Sequence, residues 1–142
     1  MDIGLMGYAA ALGLAAFGSA FGMGAAGQVA IGAWKKCYSA NKNAPFMLVA
    51  FVGMPLTQTI YGFILMNAIK SSSLDPMTLL GAGLFGGIGM GASAYAQGKA
   101  AAAASDALAE TGKGFGNYVM VIGLIETVAL FVMVFLMGAV SG

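Results

Sequence analysis

The chain has 142 residues, of which 60% are hydrophobic, 8% are charged and 23 are glycines, and its formal net charge is +1. Soluble domains carry about 25% charged residues, so this composition excludes an ordinary soluble protein, and its hydrophobicity excludes a disordered one. Six lysines without arginine or histidine argue against nucleic-acid binding, and one cysteine, Cys37, excludes a disulfide framework or a zinc site within one chain.

Charged residues divide the sequence into four apolar stretches. In chain order they cover residues 3–34, 43–69, 76–98 and 114–142. Each stretch reaches the ~20 residues that a helix needs to cross a bilayer, and the polar alternation of a membrane barrel is absent. We therefore predict an all-α membrane protein with four transmembrane helices, arranged as two helical hairpins in residues 1–72 and 73–142.

Lysines gather in two of the three predicted loops. The loop between the first and second spans and the loop between the third and fourth spans hold five lysines: Lys35, Lys36, Lys42, Lys99 and Lys113. The loop between the second and third spans holds only Lys70. Because cytoplasmic loops are enriched in positive charge, we expect the two lysine-rich loops in the cytoplasm and both termini outside.

The two halves of the sequence resemble each other. Gly22–Ala25 reads Gly-Met-Gly-Ala, and Gly89–Ala92 repeats it. Gln58–Thr59 in the second span corresponds to Glu126–Thr127 in the fourth. This self-similarity indicates duplication of a hairpin unit.

Glycine and alanine are concentrated in the first and third spans. In a bilayer, helices associate through close backbone contact, which small residues permit. These two spans suit a tightly packed inner layer, with the bulky side chains of the second and fourth spans outside it. A compact four-helix monomer explains the same pattern, and packing alone does not distinguish the two.

Glu126 lies near the centre of the fourth span. A carboxylate at that depth costs at least ~2.5 kcal/mol and usually marks a functional site. A hairpin that turns beside Gly112 places Gln97 of the third span at the same depth as Glu126.

The second span carries further polar residues at the same depth. Gln58 corresponds to Glu126 in the repeat, and Thr57 and Tyr61 lie within one helical turn of Gln58. Pro55 precedes them; it lacks a backbone N–H and disturbs a helix. A disturbed backbone leaves carbonyl oxygens free to bind another group.

The spans together offer one carboxylate, two amide oxygens, a hydroxyl and a backbone carbonyl. Hard cations take oxygen ligands, and a single negative charge balances a monovalent cation. A proton carrier needs only the carboxyl group, so this pattern favours Na⁺ over a proton. The alternative is a protonated Glu126 that only hydrogen-bonds to a neighbouring helix. No nucleophile, base and orienting group occur together, so we do not expect the chain alone to be an enzyme.

Three motifs resemble the proteolipid (K, or c) subunit of the membrane rotor ring of V-type and A-type rotary ATPases. They are Met-Pro-Leu-Thr-Gln-Thr-Ile-Tyr-Gly at Met54–Gly62, Ala-Gln-Gly-Lys-Ala at Ala96–Ala100 and Ile-Glu-Thr at Ile125–Thr127. The resemblance extends over nearly the whole chain, since it includes the duplicated hairpins and the glycine-rich first and third helices.

Sodium-binding members of that family match most closely. The resemblance implies that Na⁺ is held by the backbone oxygen of Met54 and the side chains of Thr57, Gln58, Gln97 and Glu126. It also implies that Tyr61 hydrogen-bonds to Glu126. The chain departs from the pattern at Leu56, where sodium-binding relatives can have glycine.

The resemblance also implies a mechanism and partners. Copies of the chain form a closed ring in the lipid bilayer of a prokaryotic cell membrane, and Glu126 carries the ion during rotation. A stator membrane subunit supplies an arginine that displaces the ion, and central-stalk subunits couple rotation to ATP synthesis or hydrolysis.

Three other interpretations remain open at the level of sequence. A rotor ring of the same kind can carry protons instead of Na⁺. A small four-helix proton-coupled exporter is a second alternative, although its essential acid is expected early in the chain and the protein is expected to be a dimer. A structural pore or scaffold is the third, and it predicts that Glu126→Gln leaves function intact.

Overall fold

The computed structural model describes residues 3–142, and every regular element in that range is helical. Helix α1 covers Gly4–Ser39 and α2 covers Leu48–Gly53; a 3₁₀ turn at Met54–Leu56 leads into α3, Thr57–Ser71. Helix α4 covers Pro76–Thr111 and α5 covers Phe115–Val140.

Four helical segments are long and apolar enough to cross a membrane, judged by length and composition. They are α1, the combined segment Leu48–Ser71, α4 and α5. We refer to them as the first, second, third and fourth spans. The predicted all-α architecture with four spans is confirmed.

Charged residues do not end the helices, so three predicted loop boundaries are wrong. Helix α1 continues through Lys35 and Lys36, and α4 continues through Lys99. Helix α3 likewise includes Lys70, and all four lysines were expected in loops. The five alanines of residues 100–104 explain the continuation of α4, because alanine has the highest helix propensity. Hydropathy therefore located each apolar helix but not its end.

The first and third spans are each 36 residues long. At 1.5 Å per residue they measure about 54 Å, which exceeds the ~30 Å hydrocarbon core of a bilayer. Their lysine-bearing ends lie together, since Lys36 Nζ is 3.2 Å from Asp106 Oδ1. Both side chains are exposed, so this ion pair adds little stability.

Helices α1 and α4 pack backbone against backbone. A Cβ atom placed on Gly18 would overlap the backbone of Gly91, and one placed on Gly98 would overlap the backbone of Gly22. The small residues of these two spans therefore create one glycine seam, as expected for a tightly packed layer. The seam joins the two predicted hairpins, whose boundary between residues 72 and 73 stays a prediction.

The second and fourth spans form the outer layer. Gly62 of α3 lies against Ala11 and Ala15 of α1, while α5 packs against α3 and α4. The opposite face of α5 exposes large apolar side chains, among them Phe131 and Phe135. Exposed apolar residues of this kind suit contact with lipid.

Two backbone features position the polar residues of the spans. Pro55 interrupts the second span, where the 3₁₀ turn separates α2 from α3, as the sequence predicted. Residues 112–114 form the turn between α4 and α5, and Gly112 and Gly114 have φ of 66° and 92° there. Glycine adopts such angles without strain, so the chain reverses beside Gly112, as the hairpin prediction required.

Candidate functional site

Glu126 accepts two hydrogen bonds from side chains on two other helices. The hydroxyl of Tyr61 on α3 donates to Oε1 at 2.8 Å, and Nε2 of Gln97 on α4 donates to Oε2 at 3.0 Å. The 3.0 Å contact confirms that Gln97 and Glu126 lie at one depth. Both oxygens of the intramembrane carboxyl group thus have a neutral donor.

Two glutamine side chains form the buried part of the site. Gln58 Nε2 donates to Gln97 Oε1 at 2.9 Å, and Gln97 Nε2 also donates to the carbonyl oxygen of Ile122 at 3.1 Å. Both glutamine side chains are fully buried. Buried amides are costly unless paired, and these bonds fix the relative placement of α3, α4 and α5.

Met54 in the 3₁₀ turn and Thr57 at the start of α3 add two more oxygen atoms next to this pair. The hydroxyl of Thr57 lies 2.9 Å from the carbonyl oxygen of Met54 and 3.2 Å from Oε1 of Gln58. Pro55 lies in the 3₁₀ turn directly after Met54, and the Met54 carbonyl accepts from the Thr57 N–H in a 3₁₀ bond. The disturbed backbone thus brings a carbonyl, a hydroxyl and an amide oxygen together.

All six residues singled out from the sequence belong to one hydrogen-bonded network. Its members are Met54, Thr57, Gln58, Tyr61, Gln97 and Glu126. Thr57, Tyr61 and Glu126 are half-buried, whereas the glutamines are enclosed. Leu56 is 48% exposed, so its side chain does not fill the site.

Ser93 joins the network, although nothing in the sequence assigned it a role. Its hydroxyl donates to the carbonyl oxygen of Ile125 at 2.9 Å, and Gln58 Nε2 approaches its Oγ at 3.5 Å. Ser93 lies four residues before Gln97, so the two share one face of α4. That four-residue spacing is the only feature of the sequence that could have indicated a role for Ser93.

The remaining polar residues considered from the sequence lie elsewhere. Cys37 is 4% exposed at the end of α1, with its Sγ 3.9 Å from the carbonyl oxygen of Ala109. Lys99 Nζ lies 5.5 Å from the centroid of the Tyr95 ring. These contacts are separate from the network around Glu126.

The network gathers neutral oxygen donors around one carboxyl group. A hard monovalent cation takes such ligands, and one carboxylate neutralises its charge. The same carboxyl group can instead hold a proton. The arrangement therefore suits the carriage of a small cation at mid-membrane depth.

The sequence is similar to a known family and to a named relative. Residues 80–137 match the family described as the C subunit of ATP synthase. Over 131 residues, or 91% of this chain, the sequence is 34% identical to the K subunit of the A-type ATP synthase of Methanocaldococcus jannaschii. The chain spans 57% of the length of that relative.

Proposed function

We propose that the chain is a rotor-ring subunit that carries Na⁺ at Glu126, and that it belongs to the family described as the C subunit of ATP synthase, which residues 80–137 match. The ring is part of a rotary ATPase of the A or V type, and the chain is a non-catalytic membrane subunit of that machine. The relative named as the K subunit of an A-type ATP synthase supports this assignment.

One observation carries the proposal: the hydrogen-bonded network that joins Glu126 to oxygen donors on two other helices. The proposed ligands are the Met54 carbonyl oxygen and the side chains of Thr57, Gln58, Gln97 and Glu126, while Tyr61 holds the carboxylate. In the structure these groups hydrogen-bond to one another, and an ion would replace several of those contacts with ligand bonds.

Coordination number favours Na⁺ over a proton. A proton needs one carboxyl oxygen, whereas the second and third spans contribute two buried amides, a hydroxyl and a carbonyl oxygen. Burying amide groups in a membrane is costly unless they have hydrogen-bond or ligand partners. Together with the carboxylate, these groups can form the coordination shell of a Na⁺ ion that has lost its water. The loaded site is neutral, so it can rotate past lipid.

The proposed ring uses the two layers of the fold in different ways. The glycine seam of α1 and α4 lies inside, and α5 lies outside with Glu126 half-buried on it. A stator subunit supplies the arginine that releases the ion, since this chain has no arginine. The lysine-rich ends of α1 and α4 face the cytoplasm and the central stalk.

The test is modification of Glu126 by a hydrophobic carbodiimide, which reacts with a protonated carboxyl group. The assembled protein, purified in detergent, is labelled at neutral pH with millimolar Na⁺ or with the same concentration of K⁺. We expect Na⁺ to slow the labelling of Glu126, measured by mass spectrometry, and K⁺ to have little effect. Glu110, an exposed acid on α4, is the internal control for general salt effects.

The labelling rate also decides between the two kinds of ring. If Na⁺ leaves the labelling rate of Glu126 unchanged, the sodium proposal is wrong and the proton-carrying ring takes its place. Native mass spectrometry of the same sample separates a ring of many copies from the dimer that a small exporter would form.

A further inference from the structure

Ser19, on the first span, carries a buried hydroxyl without a partner. Its side chain is 2% exposed, and its Oγ makes no hydrogen bond within residues 3–142. Buried polar groups without partners are rare in native proteins, because the lost hydrogen bonds to water are not replaced.

The packing of α1 on the second span gives the depth of this hydroxyl. Ala15, one turn before Ser19, contacts Gly62, and a Cβ atom on Gly22, almost one turn after it, would lie 3.1 Å from Pro55 Cβ. Residues spaced by three or four lie on the same face of a helix, so Ser19 faces the second span midway between these contacts.

Gln58 lies at the middle of that stretch. The third span indicates the same depth, because Gly18, adjacent to Ser19, contacts Gly91, two residues before Ser93. Ser19 therefore lies level with Gln58 and Ser93, at the inner end of the network and on the side opposite Glu126.

Gln58 also has a buried polar group that is poorly satisfied, namely one N–H of its side-chain amide. One N–H of its amide donates to Gln97 Oε1 at 2.9 Å, but the other has only Ser93 Oγ at 3.5 Å, the outer limit of a hydrogen bond. The Ser93 hydroxyl donates its own hydrogen to the Ile125 carbonyl oxygen, so only its lone pairs are available to Gln58, at this long distance. A buried donor with a poor acceptor and a buried hydroxyl with no partner thus lie at one depth on adjacent helices.

We propose that Ser19 is a positioning residue of the ion site, whose hydroxyl oxygen accepts the second N–H of Gln58 when Gln58 Oε1 turns toward bound Na⁺. The Ser19 O–H is then directed to the carbonyl oxygen of Ala15, one turn earlier in the same helix. This inference rests on the proposed function. It makes the first span, which supplies no ligand, a contributor to ion affinity.

The test measures the Na⁺ concentration that gives half-maximal protection of Glu126 from the carbodiimide. In Ser19→Ala we expect that concentration to rise about three- to tenfold, the effect of one lost buried hydrogen bond. The labelling rate without Na⁺ should stay close to that of the parent. If the Ser19 hydroxyl has no role in the ion site, Ser19→Ala should leave Na⁺ protection unchanged. The assembly should then be equally or more heat-stable, because a buried hydroxyl without a partner has been removed.

Two further comparisons isolate the hydroxyl. Ser105→Ala is the matched control, because Ser105 is another fully buried serine on a long span and bonds only to Ala101 of its own helix. The side chains introduced by Ser19→Thr and Ser19→Val have the same shape, but only threonine has a hydroxyl. If the threonine variant is protected at a lower Na⁺ concentration than the valine variant, the effect belongs to the hydroxyl. Equal protection curves for parent, Ser19→Ala and Ser105→Ala overturn this inference alone. Lack of Na⁺ protection in the parent overturns the sodium proposal and this inference with it.

Discussion

Gln97 and Glu126 are 29 residues apart in the chain, yet Nε2 of Gln97 lies 3.0 Å from Oε2 of Glu126. The amide belongs to the third span and the carboxyl group to the fourth, so the bond holds the two helices in register at the middle of the membrane. It also ties the acid to Gln58, which bonds to the other end of the Gln97 amide. The chemistry of Glu126 is therefore set by three helices.

Glu126→Gln should abolish ion transport while leaving the assembly intact. The glutamine side chain has nearly the same shape and can still accept from Tyr61, but it has no charge to balance a cation. Transport in reconstituted vesicles should fall to background, and the carbodiimide label should disappear from residue 126. Transport equal to that of the parent would instead support the structural pore.

Gln97→Ala should weaken Na⁺ protection and destabilise the helix packing. The substitution removes a proposed ligand and leaves the buried N–H of Gln58 without its best acceptor, which costs about 1–3 kcal/mol. Half-maximal protection should need at least roughly tenfold more Na⁺, and the thermal midpoint of the assembly should fall. Gln28→Ala is the control, since Gln28 is exposed on α1; an equal effect there would argue against a specific role of Gln97.

Tyr61→Phe should raise the Na⁺ concentration that half-protects Glu126 from the carbodiimide. The tyrosine hydroxyl donates to the carboxyl group at 2.8 Å, and a hydrogen bond to a carboxylate both orients it and is stronger than a neutral one. Without that bond the carboxylate is no longer held toward the other proposed ligands, and we expect a severalfold increase. Tyr38→Phe, at an exposed tyrosine near the end of α1, should leave protection unchanged, and identical curves for both variants would count against this role.

Gly91→Leu should disrupt the packing of the first and third spans. A Cβ atom at this position meets the backbone of Leu14 and Gly18, which cannot move aside as a flexible side chain can, so the helices must separate. Heating the detergent-solubilised protein should show loss of the assembly well below the parent's temperature. Gly116→Ala, at a glycine with open space around it, should behave as the parent does.

Asp75→Ala should destabilise the start of α4 at neutral pH and have less effect in acid. Hydrogen bonds from the Thr78 side chain and backbone hold the pKa of the Asp75 carboxyl group below its usual value. The charged form is thus favoured in the folded state, so its contribution is present above the ordinary carboxyl pKa and is lost as pH falls through the lowered one.

The measurement for Asp75 is the difference in thermal midpoint between parent and variant across a pH series. The difference should be largest near neutrality and shrink below the usual carboxyl pKa. Asp106→Ala provides a comparison, because Asp106 lies outside any helix N-terminus and pairs with exposed Lys36. A difference for Asp75 that does not depend on pH would contradict the role of its charge.

The central features of the site were predictable because they follow from spacing along helices. The turn beside Gly112 fixes which residue of α4 lies opposite Glu126, and Pro55 marks where the second span must break. Side chains four residues apart share a face, which brings Tyr61 and Thr57 to the same part of α3. The first relationship needs only that α4 and α5 form a hairpin, and the other two need no knowledge of which helices touch.

The features that the sequence did not predict depend on those contacts. Ser93 acquires its role from the Ile125 carbonyl oxygen on another helix, and Ser19 is notable only because the folded chain encloses it without a partner among the described residues. The ends of α1 and α4 were misplaced because charged residues end an apolar stretch of sequence without ending the helix.

The glycine seam has a mechanical consequence for a ring that turns. Where the backbones of α1 and α4 are in direct contact, no side chain between them can change rotamer under load. The two helices are therefore expected to move as one rigid body. In the proposed ring, a load on Glu126 would pass through Gln97 into these two helices and on to their lysine-bearing ends. Little of the energy of each rotational step would then be lost to elastic deformation between the helices.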